Sequence, residues 1–293
     1  MRVSKPQLAL LLAPSLLLTG LLLVLPLVLV AVMSLTDWQF GSATFDWVGL
    51  GNYADLWRDD VFRKSFGNTV VYLAVVSTAS IAIGLGVALL IESHDSLRAF
   101  YRTAFFLPVA STLIAMAVVW QFLMHPSLGL LNQGLAVFGL GPVNWLKDRH
   151  VALYSLCLIG VWQMAGLALV MFLAGLKSIP SDLFDAGLLD GMRSPVDRFF
   201  SITLPQLAPT MLFVVTVCAI RSLQVFDTVH VLTQGGPSKS TEVLLHTIYA
   251  EGFGFMRMGY ASAMTVVFVA AVFLLTLLQQ AGGKSKQKKA DAA

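Results

Sequence analysis

The chain has 293 residues, of which 57% are apolar and only 12% are charged, and its formal net charge at pH 7 is +3. Soluble globular chains carry about 25% charged residues, so this composition excludes an ordinary soluble protein and indicates a chain whose main solvent is lipid. The two cysteines, Cys157 and Cys218, lie inside apolar runs without a CxxC spacing, which favours buried thiols over a disulfide or a metal site.

The uncharged runs predict an all-α membrane protein with six transmembrane helices. A spanning helix needs about 20 apolar residues, and only helices and closed barrels satisfy their backbone groups in lipid. The runs have helical length and do not alternate as barrel strands would. They predict one transmembrane domain over residues 1–293, with spans at about 8–34, 68–91, 103–124, 151–176, 206–225 and 259–278.

The first span follows a short basic start that carries Arg2 and Lys5, so a cleaved signal peptide is the alternative. Its apolar stretch is much longer than the roughly 7–15 residues of a signal-peptide core, and no clear small-x-small cleavage site follows it. We therefore expect this segment to remain as a signal anchor.

Several residues in the next spans have two interpretations. In the second span, Gly84 and Gly86 are expected to permit close helix packing. Three tryptophans are candidates for stacking on sugar rings, although aromatic residues are also common at membrane interfaces. These tryptophans are Trp120, Trp145 and Trp162.

The polar connection at residues 177–204 has explicit local signals for a short helix, a glycine turn and a second helix. Ser181 is a candidate cap, and acidic residues in the first turns suit the positive end of the helix dipole. Gly191 is the usual residue for a helix stop. Ser194 and Pro195 together predict a second helix start, and Pro205 marks re-entry into the membrane.

On the residues alone this connection is either an amphipathic segment on lipid head groups or a knob that docks into a protein cleft. Surface-bound helices usually show a lysine-rich polar face. This helix is acidic instead, and Ala186 and Gly187 leave part of its surface flat. Those two features favour docking.

Charged and amide side chains at membrane depth are expensive unless they are paired or face water. In and after the fifth span, Arg221, Gln224 and Asp227 follow one another at a spacing of three, which places them on one face if the helix continues. With Gln163 of the fourth span they form a candidate substrate path. The alternatives are a structural ion pair between Arg221 and Asp227, or an Asp227 that already lies at the outer surface.

The distribution of basic residues predicts that both termini are cytoplasmic. With that orientation, 11 of the 19 Lys and Arg residues fall on the inside, seven fall in the outer loops, and Arg221 lies within a span. Four of the inner ones crowd a basic C-terminal tail at 282–293, which is more simply a membrane-surface anchor than a nucleic-acid patch.

The connection resembles the EAA loop of ABC-importer permeases, whose pattern is E-A-A, three residues, G, a spacer and I-x-L-P. Here it reads Asp185-Ala186-Gly187, Asp190-Gly191 and Ile202-Thr203-Leu204-Pro205, with a spacer one residue longer than usual. The stretches FFLPVASTLIAMAVVWQFL, GLLNQGLAVFG, VGLGNY and VLTQGGPSKSTEVLLHTIYAEGFGFMRMGYASA extend the resemblance to the upstream permeases of sugar and glycerol-3-phosphate importers.

The resemblance implies a bacterial inner-membrane permease that moves a carbohydrate or glycerol-phosphate solute by alternating access. It implies a second homologous permease, two cytoplasmic ATPase subunits that bind ATP and Mg, and an outer solute-binding protein, with surrounding lipid and no nucleic acid. This chain itself is expected to bind no cofactor or metal and to have no catalytic residue. The residues implied in ATPase docking are Asp185, Ala186, Gly187, Leu188, Asp190, Gly191, Met192 and Arg193.

Two other function classes fit the sequence less well. A secondary transporter would need a membrane-embedded titratable group, and the first four spans contain no carboxylate. An intramembrane enzyme would need a motif such as HExxH or GxSxG, or paired intramembrane aspartates, which are absent. The chain also lacks the P-loop GxxxxGK[ST], as expected of a subunit that borrows its energy from an ATPase.

Overall fold

The computed structural model describes residues 5–93 and 98–290. These residues form 14 α-helices, three π-helical turns and no strand, while an isolated β-bridge joins Thr36 to Trp47. The helices are α1 (Lys5–Thr19), α2 (Leu25–Met33), α3 (Gly51–Arg58), α4 (Asp60–Ser93), α5 (Arg98–Ala110), α6 (Leu113–Leu123), α7 (Leu130–Val137), α8 (Ala152–Lys177), α9 (Ser181–Leu189), α10 (Pro195–Arg198), α11 (Leu204–Leu223), α12 (Asp227–Leu232), α13 (Leu244–Tyr249) and α14 (Met258–Ala290).

Five helical segments of the described chain are long and apolar enough to cross a membrane, and a sixth span results if one bent pair is counted. The five are Leu11–Met33, Asp60–Glu92, Ala152–Lys177, Pro195–Leu232 and Met258–Ala281. The bent pair is Thr103–Ala110 with Leu113–Leu123, whose axes differ by 110°. The prediction of one continuous helix over 103–124 is therefore wrong.

The bend has a local cause. Pro108 lies inside α5, and Thr112 has extended backbone angles of φ −72° and ψ 129°. The Ser111 hydroxyl donates to the Leu107 carbonyl at 2.9 Å, which replaces a backbone partner near the proline. Apolar content alone could not reveal this break.

The chain divides into two compact units. The first contains residues 1–63 and 247–271, and the second contains residues 64–246 and 272–293. In the first unit, the apolar side chains of the first span are largely exposed along its length. Between α1 and α2, the π-helical turn Gly20–Val24 precedes Pro26, whose ring would clash with the carbonyl four residues earlier in a regular α-helix.

In the second unit, α8 is the central helix because it is the most buried of the candidate spans. Close approach to α4 occurs at Gly84, where a Cβ would lie 2.7 Å from that of Ala168. The packing role predicted for Gly84 is confirmed, whereas a Cβ on Gly86 would meet nothing within 4 Å in the described part of the chain, so no contact there requires a glycine at position 86. Cys157 and Cys218 are buried free thiols, as expected.

Candidate functional site

The helix stop predicted at Gly191 is confirmed. α9 ends at Leu189, and Gly191 has a φ of +85°, a conformation that residues with side chains rarely adopt. The Met192 amide donates to the Gly187 carbonyl at 2.9 Å, and the Gly191 amide donates to the Leu188 carbonyl at 3.1 Å. These two bonds are those of a Schellman motif, which satisfies the last carbonyls of the helix.

The two helix starts in this connection differ from each other. Ser194 caps α10 as predicted, because its side chain accepts a bond from the Val196 amide at 3.2 Å and Pro195 is the first helical residue. Ser181 does not cap α9. Ser181 is instead the first helical residue, and Pro180, with extended angles of φ −61° and ψ 135°, occupies the cap position. The proline side chain has no hydrogen-bonding group, so this helix start has no side-chain cap.

The predicted second short helix is not a separate element. α10 continues through the π-helical turn Phe199–Thr203 into α11, so the helix begins ten residues before Pro205, where re-entry into the membrane was predicted. The Leu204 amide donates to the Phe199 carbonyl, which is an i→i+5 bond. A π-turn holds one residue more than an α-turn. It therefore accommodates the extra spacer residue without rotating the following helix.

Six of the eight predicted docking residues are exposed, whereas Met192 is half-buried and Gly187 is buried. A Cβ on Gly187 would lie 2.8 Å from the Cδ1 of Ile202. Gly187 therefore permits close packing inside the connection. The expectation that it flattens the outer surface of the helix is wrong. The exposed face of α9 ends in Leu189, whose side chain is 90% exposed.

The expectation that Arg221, Gln224 and Asp227 share one helical face is wrong. α11 ends at Leu223, and Asp227 is the first residue of the separate helix α12. The backbone turns at Gln224 (φ −84°, ψ 17°) and at Phe226 (φ −145°, ψ −57°), neither of which is helical.

The second unit nevertheless brings all four candidate residues together around one cavity of about 270 Å³. Arg221, Gln224 and Asp227 line it from the α11–α12 region, and Gln163 lines it from α8. No ion pair within 4 Å joins Arg221 to Asp227, both of which the structure describes, so the structural-pair alternative is not supported.

Two helix breaks lie beside this cavity. Val109 and Leu113, which flank the α5–α6 bend, line it, as do Gln224 and Phe226 at the α11–α12 break. Non-helical backbone at membrane depth is tolerated only where it is buried in protein or lines a water-filled cavity. The cavity therefore lies where two helix breaks meet charged and amide side chains.

Sequence reasoning missed several lining residues of the cavity. Ser222 lines it, and the Ser77 hydroxyl donates to Ser222 at 3.2 Å between α4 and α11. Serines inside apolar runs were the available signal. The other polar or small lining residues that were missed are Tyr72, Gly160 and Thr228.

The tryptophans considered for sugar stacking have structural contacts. Trp120 is buried in the core and meets Trp162 edge to face, with ring centroids 5.5 Å apart. Trp145 donates from Nε1 to the Oδ1 of Asn132 at 2.9 Å. Neither Trp120 nor Trp145 lines the cavity.

A charged cluster in the loop between α12 and α13 was also missed. Glu242 is 1% exposed, and its carboxylate accepts from His246 Nδ1 at 2.6 Å and from Lys239 Nζ at 3.3 Å. Burial raises the pKa of Glu242, but the hydrogen bond and charge of His246, together with Lys239, outweigh it and hold that pKa below its ordinary value of 4.5. The four-residue spacing of Glu242 and His246 was the available signal.

Comparison with proteins of known sequence finds similar permeases. A probable ABC transporter permease, YurN of Bacillus subtilis, is 33% identical over 251 residues, which cover 84% of this chain and 86% of that one. The sn-glycerol-3-phosphate permease UgpA of Pectobacterium atrosepticum is 32% identical over 88% of this chain and 91% of its own. The sulfoquinovosyl glycerol permease SmoG of Agrobacterium fabrum is 31% identical over 91% and 87%.

Among solved structures, a chain of a bacterial ABC transporter that imports the acidic polysaccharide alginate has a similar fold. The TM-score is 0.82 at 21% sequence identity, over 95% of each chain. The family model described as the inner membrane component of binding-protein-dependent transport systems matches residues 80–285. The chain belongs to this family, and it is a multi-pass inner-membrane permease subunit of an ABC importer.

Proposed function

We propose that this chain carries a sugar-like or glycerol-phosphate solute across the membrane through the cavity between its two helix breaks. The observation that carries the proposal is the meeting of Arg221, Asp227, Gln163 and Gln224 around one cavity of about 270 Å³. An unpaired guanidinium and a carboxylate at this depth are costly unless water or a polar solute occupies the cavity.

The substrate class follows from the donors and acceptors of the cavity. Arg221 can hold a phosphate or another anion through charge-assisted bonds, while the two amides and Asp227 can bond to hydroxyl groups. Relatives named for sn-glycerol-3-phosphate and sulfoquinovosyl glycerol carry solutes with both kinds of group. A polyhydroxylated solute, with or without an anionic group, is the class proposed here.

The energy for transport enters through α9. Its exposed face combines the apolar Leu188 and Leu189 with the acidic Asp182 and Asp185. We assign this face, together with exposed residues through Arg193, to the cleft of a cytoplasmic ATPase subunit. Two such ATPases, which bind ATP and Mg, would drive this chain and a second homologous permease between inward-open and outward-open states. No cofactor is assigned to this chain.

A solute-binding protein is assigned to the outer face. The similar alginate transporter has been solved in complex with its substrate-bound periplasmic protein, which supports such a partner. Six spans, with both termini cytoplasmic, place α9 on the inside, and this topology requires the bent pair α5–α6 to count as one span.

A reporter that is active only outside the membrane tests the orientation. We expect activity for fusions near Gly236 and silence for fusions near Gly191. The opposite pattern would reverse the orientation and remove the docking assignment.

Co-purification tests the assignment of function itself. A tagged permease should recover its ATPase, and Asp185→Lys should reduce that recovery because it reverses a charge on the exposed face of α9. Asp197→Lys is the matched control, since Asp197 is also exposed but belongs to α10. Equal ATPase recovery with both variants would leave α9 as a membrane-surface connector.

A further inference from the structure

A second polar cleft lies in the same compact unit as the cavity but shares no lining residue with it. It has a volume of about 430 Å³ and is lined from the start of α4, from the segment before α8 and from the loop after α12. Its basic lining residues are Lys64, Arg149 and His150, and none of its lining residues is a carboxylate.

Lys64 and Arg149 each use only some of their hydrogen-bond donors in contacts with the described chain. Lys64 Nζ donates to the Ser238 carbonyl at 2.7 Å, which uses one of its three protons. Arg149 donates from Nε to His150 Nε2 at 3.1 Å, which leaves the four protons on its terminal nitrogens. These contacts therefore leave both side chains charged and able to donate further hydrogen bonds.

Ser240 adds a buried polar residue to the wall of the cleft. It lines the cleft and is only 9% exposed, and its Oγ has no hydrogen-bond partner in the described chain. Buried hydroxyls are nearly always bonded, because an unmade hydrogen bond costs free energy. Serine has three staggered rotamers, so rotation about χ1 can turn this hydroxyl toward a bound group.

We propose that this cleft binds a phosphate group, either that of an anionic lipid or a free phosphate. Two cations without a carboxylate among the lining residues, with serine hydroxyls beside them, match the acceptor-rich surface of phosphate. Val71 and Leu153 add an apolar wall on which a lipid chain can rest. The residues are distinct from those of the transport cavity, so the site does not depend on the proposed solute.

The test uses the assembled transporter and two probes. In one arm, the transporter is extracted from vesicles of phosphatidylcholine and phosphatidylglycerol, and native mass spectrometry measures the phosphatidylglycerol that stays bound to it. In the other, calorimetry measures inorganic phosphate binding in an uncharged detergent. Wild type is compared with Arg149→Gln and Ser240→Ala, and Lys147→Gln is the control because Lys147 is an exposed cation that does not line the cleft.

We expect at least one probe to bind wild type and Lys147→Gln alike, and to bind the two cleft variants about tenfold more weakly. Ser240→Ala leaves the net charge unchanged, so a loss there cannot come from bulk electrostatics. Phosphatidylglycerol alone would identify a lipid site, and inorganic phosphate alone would identify a free-anion site. Binding of neither probe, or equal binding by all variants, overturns the proposal. The proposal is also overturned if Arg149→Gln binds phosphate and lipid normally but loses the ATP hydrolysis that the binding protein stimulates, since Arg149 would then act in transport and not in phosphate binding.

Discussion

The connection between α8 and α11 differs from the cavity lined by Arg221 and Asp227 in how it is specified. In the connection, Gly191, Ser194 and Pro195 each determine the backbone within a few residues of themselves. The cavity instead collects residues from positions 72 to 228, and two of its walls are helix breaks. One region is built from local signals, and the other exists only once distant helices have packed.

This contrast has consequences for mutation. In the connection, a single backbone-incompatible residue should remove the shape of the proposed docking surface while the membrane helices remain folded. In the cavity, a polar side chain can be removed without changing the fold, because the walls are held by packing elsewhere. Loss of coupling and loss of solute recognition should therefore be separable.

The largest effect is expected from Gly191→Val. The φ of +85° at Gly191 costs a residue with a side chain about 2 kcal/mol, and a β-branched residue is among the worst suited. ATP hydrolysis by the reconstituted complex, stimulated by binding protein and solute, should fall by about 30-fold.

Gly191→Asn is the matched control for that experiment, because asparagine adopts the left-handed conformation more readily. A Cβ at this position meets nothing within 4 Å, so any loss in the valine variant comes from backbone strain or from the partner's surface. Near-normal hydrolysis with valine would mean that the Schellman turn does not shape the contact with the ATPase.

Arg221→Ala should produce the next largest effect. Removing one charge-assisted bond to the solute should lower uptake by about tenfold, while ATPase recovery on the tagged permease stays normal. Arg221→Lys should retain part of the uptake of an anionic solute, because it keeps the charge but loses the bidentate geometry. A variant that fails to accumulate would indicate a structural role for Arg221 instead.

Much of the fold could be predicted from sequence, because apolar length is a local quantity. All six apolar runs correspond to helices, and the last three predicted starts and ends lie close to observed ones or inside longer helices. The break after Pro108 could not be predicted, since a proline in a membrane helix produces a kink, a bend or neither, depending on its neighbours. The turn between α11 and α12 was not predicted, because no Gly or Pro marks it.

The candidate site was predicted in part, and for a reason different from the true one. Arg221, Gln224 and Asp227 were grouped by a helical spacing that does not exist, yet they meet because the chain turns beside the cavity. Polarity at membrane depth was the reliable signal. Helical geometry was not, because nothing within the segment reports where the helix stops.

Glu242→Gln should have a smaller effect than the changes at Gly191 and Arg221. It tests a third region, the loop between α12 and α13, where burial and charge both contribute to stability. The pKa of Glu242 lies below 4.5, so its ionised form stabilises the folded state above that pH, and the stabilisation is lost as pH falls through the folded pKa. At pH 7 the variant should melt about 3 °C lower, and the difference from wild type should shrink as pH falls below 4.5 and vanish once pH lies below the folded pKa.

Asp60→Asn is the control for that charge, because Asp60 pairs with Arg63 at the surface, where its side chain is 90% exposed. Exposed pairs contribute little, so its melting temperature should match that of wild type at both pH values. A pH-independent difference for Glu242→Gln would show that the shape of the side chain matters there and its charge does not.

The smallest expected effect tests whether the docking connection also depends on packing. A Cβ on Gly187 would lie 2.8 Å from the Cδ1 of Ile202, an atom that valine lacks. Gly187→Ala should therefore cost about 1 kcal/mol through a forced rotamer of Ile202, and Ile202→Val alone about the same through a small cavity. In the double variant the new methyl group occupies the space that Cδ1 vacates, so the two costs should largely cancel. Melting temperatures of the four proteins measure this coupling, and Gly86→Ala, whose Cβ meets nothing within 4 Å, serves as the control for helix propensity. Additive losses would show that Ile202 relaxes away from residue 187, in which case the local signals of the connection suffice to shape it.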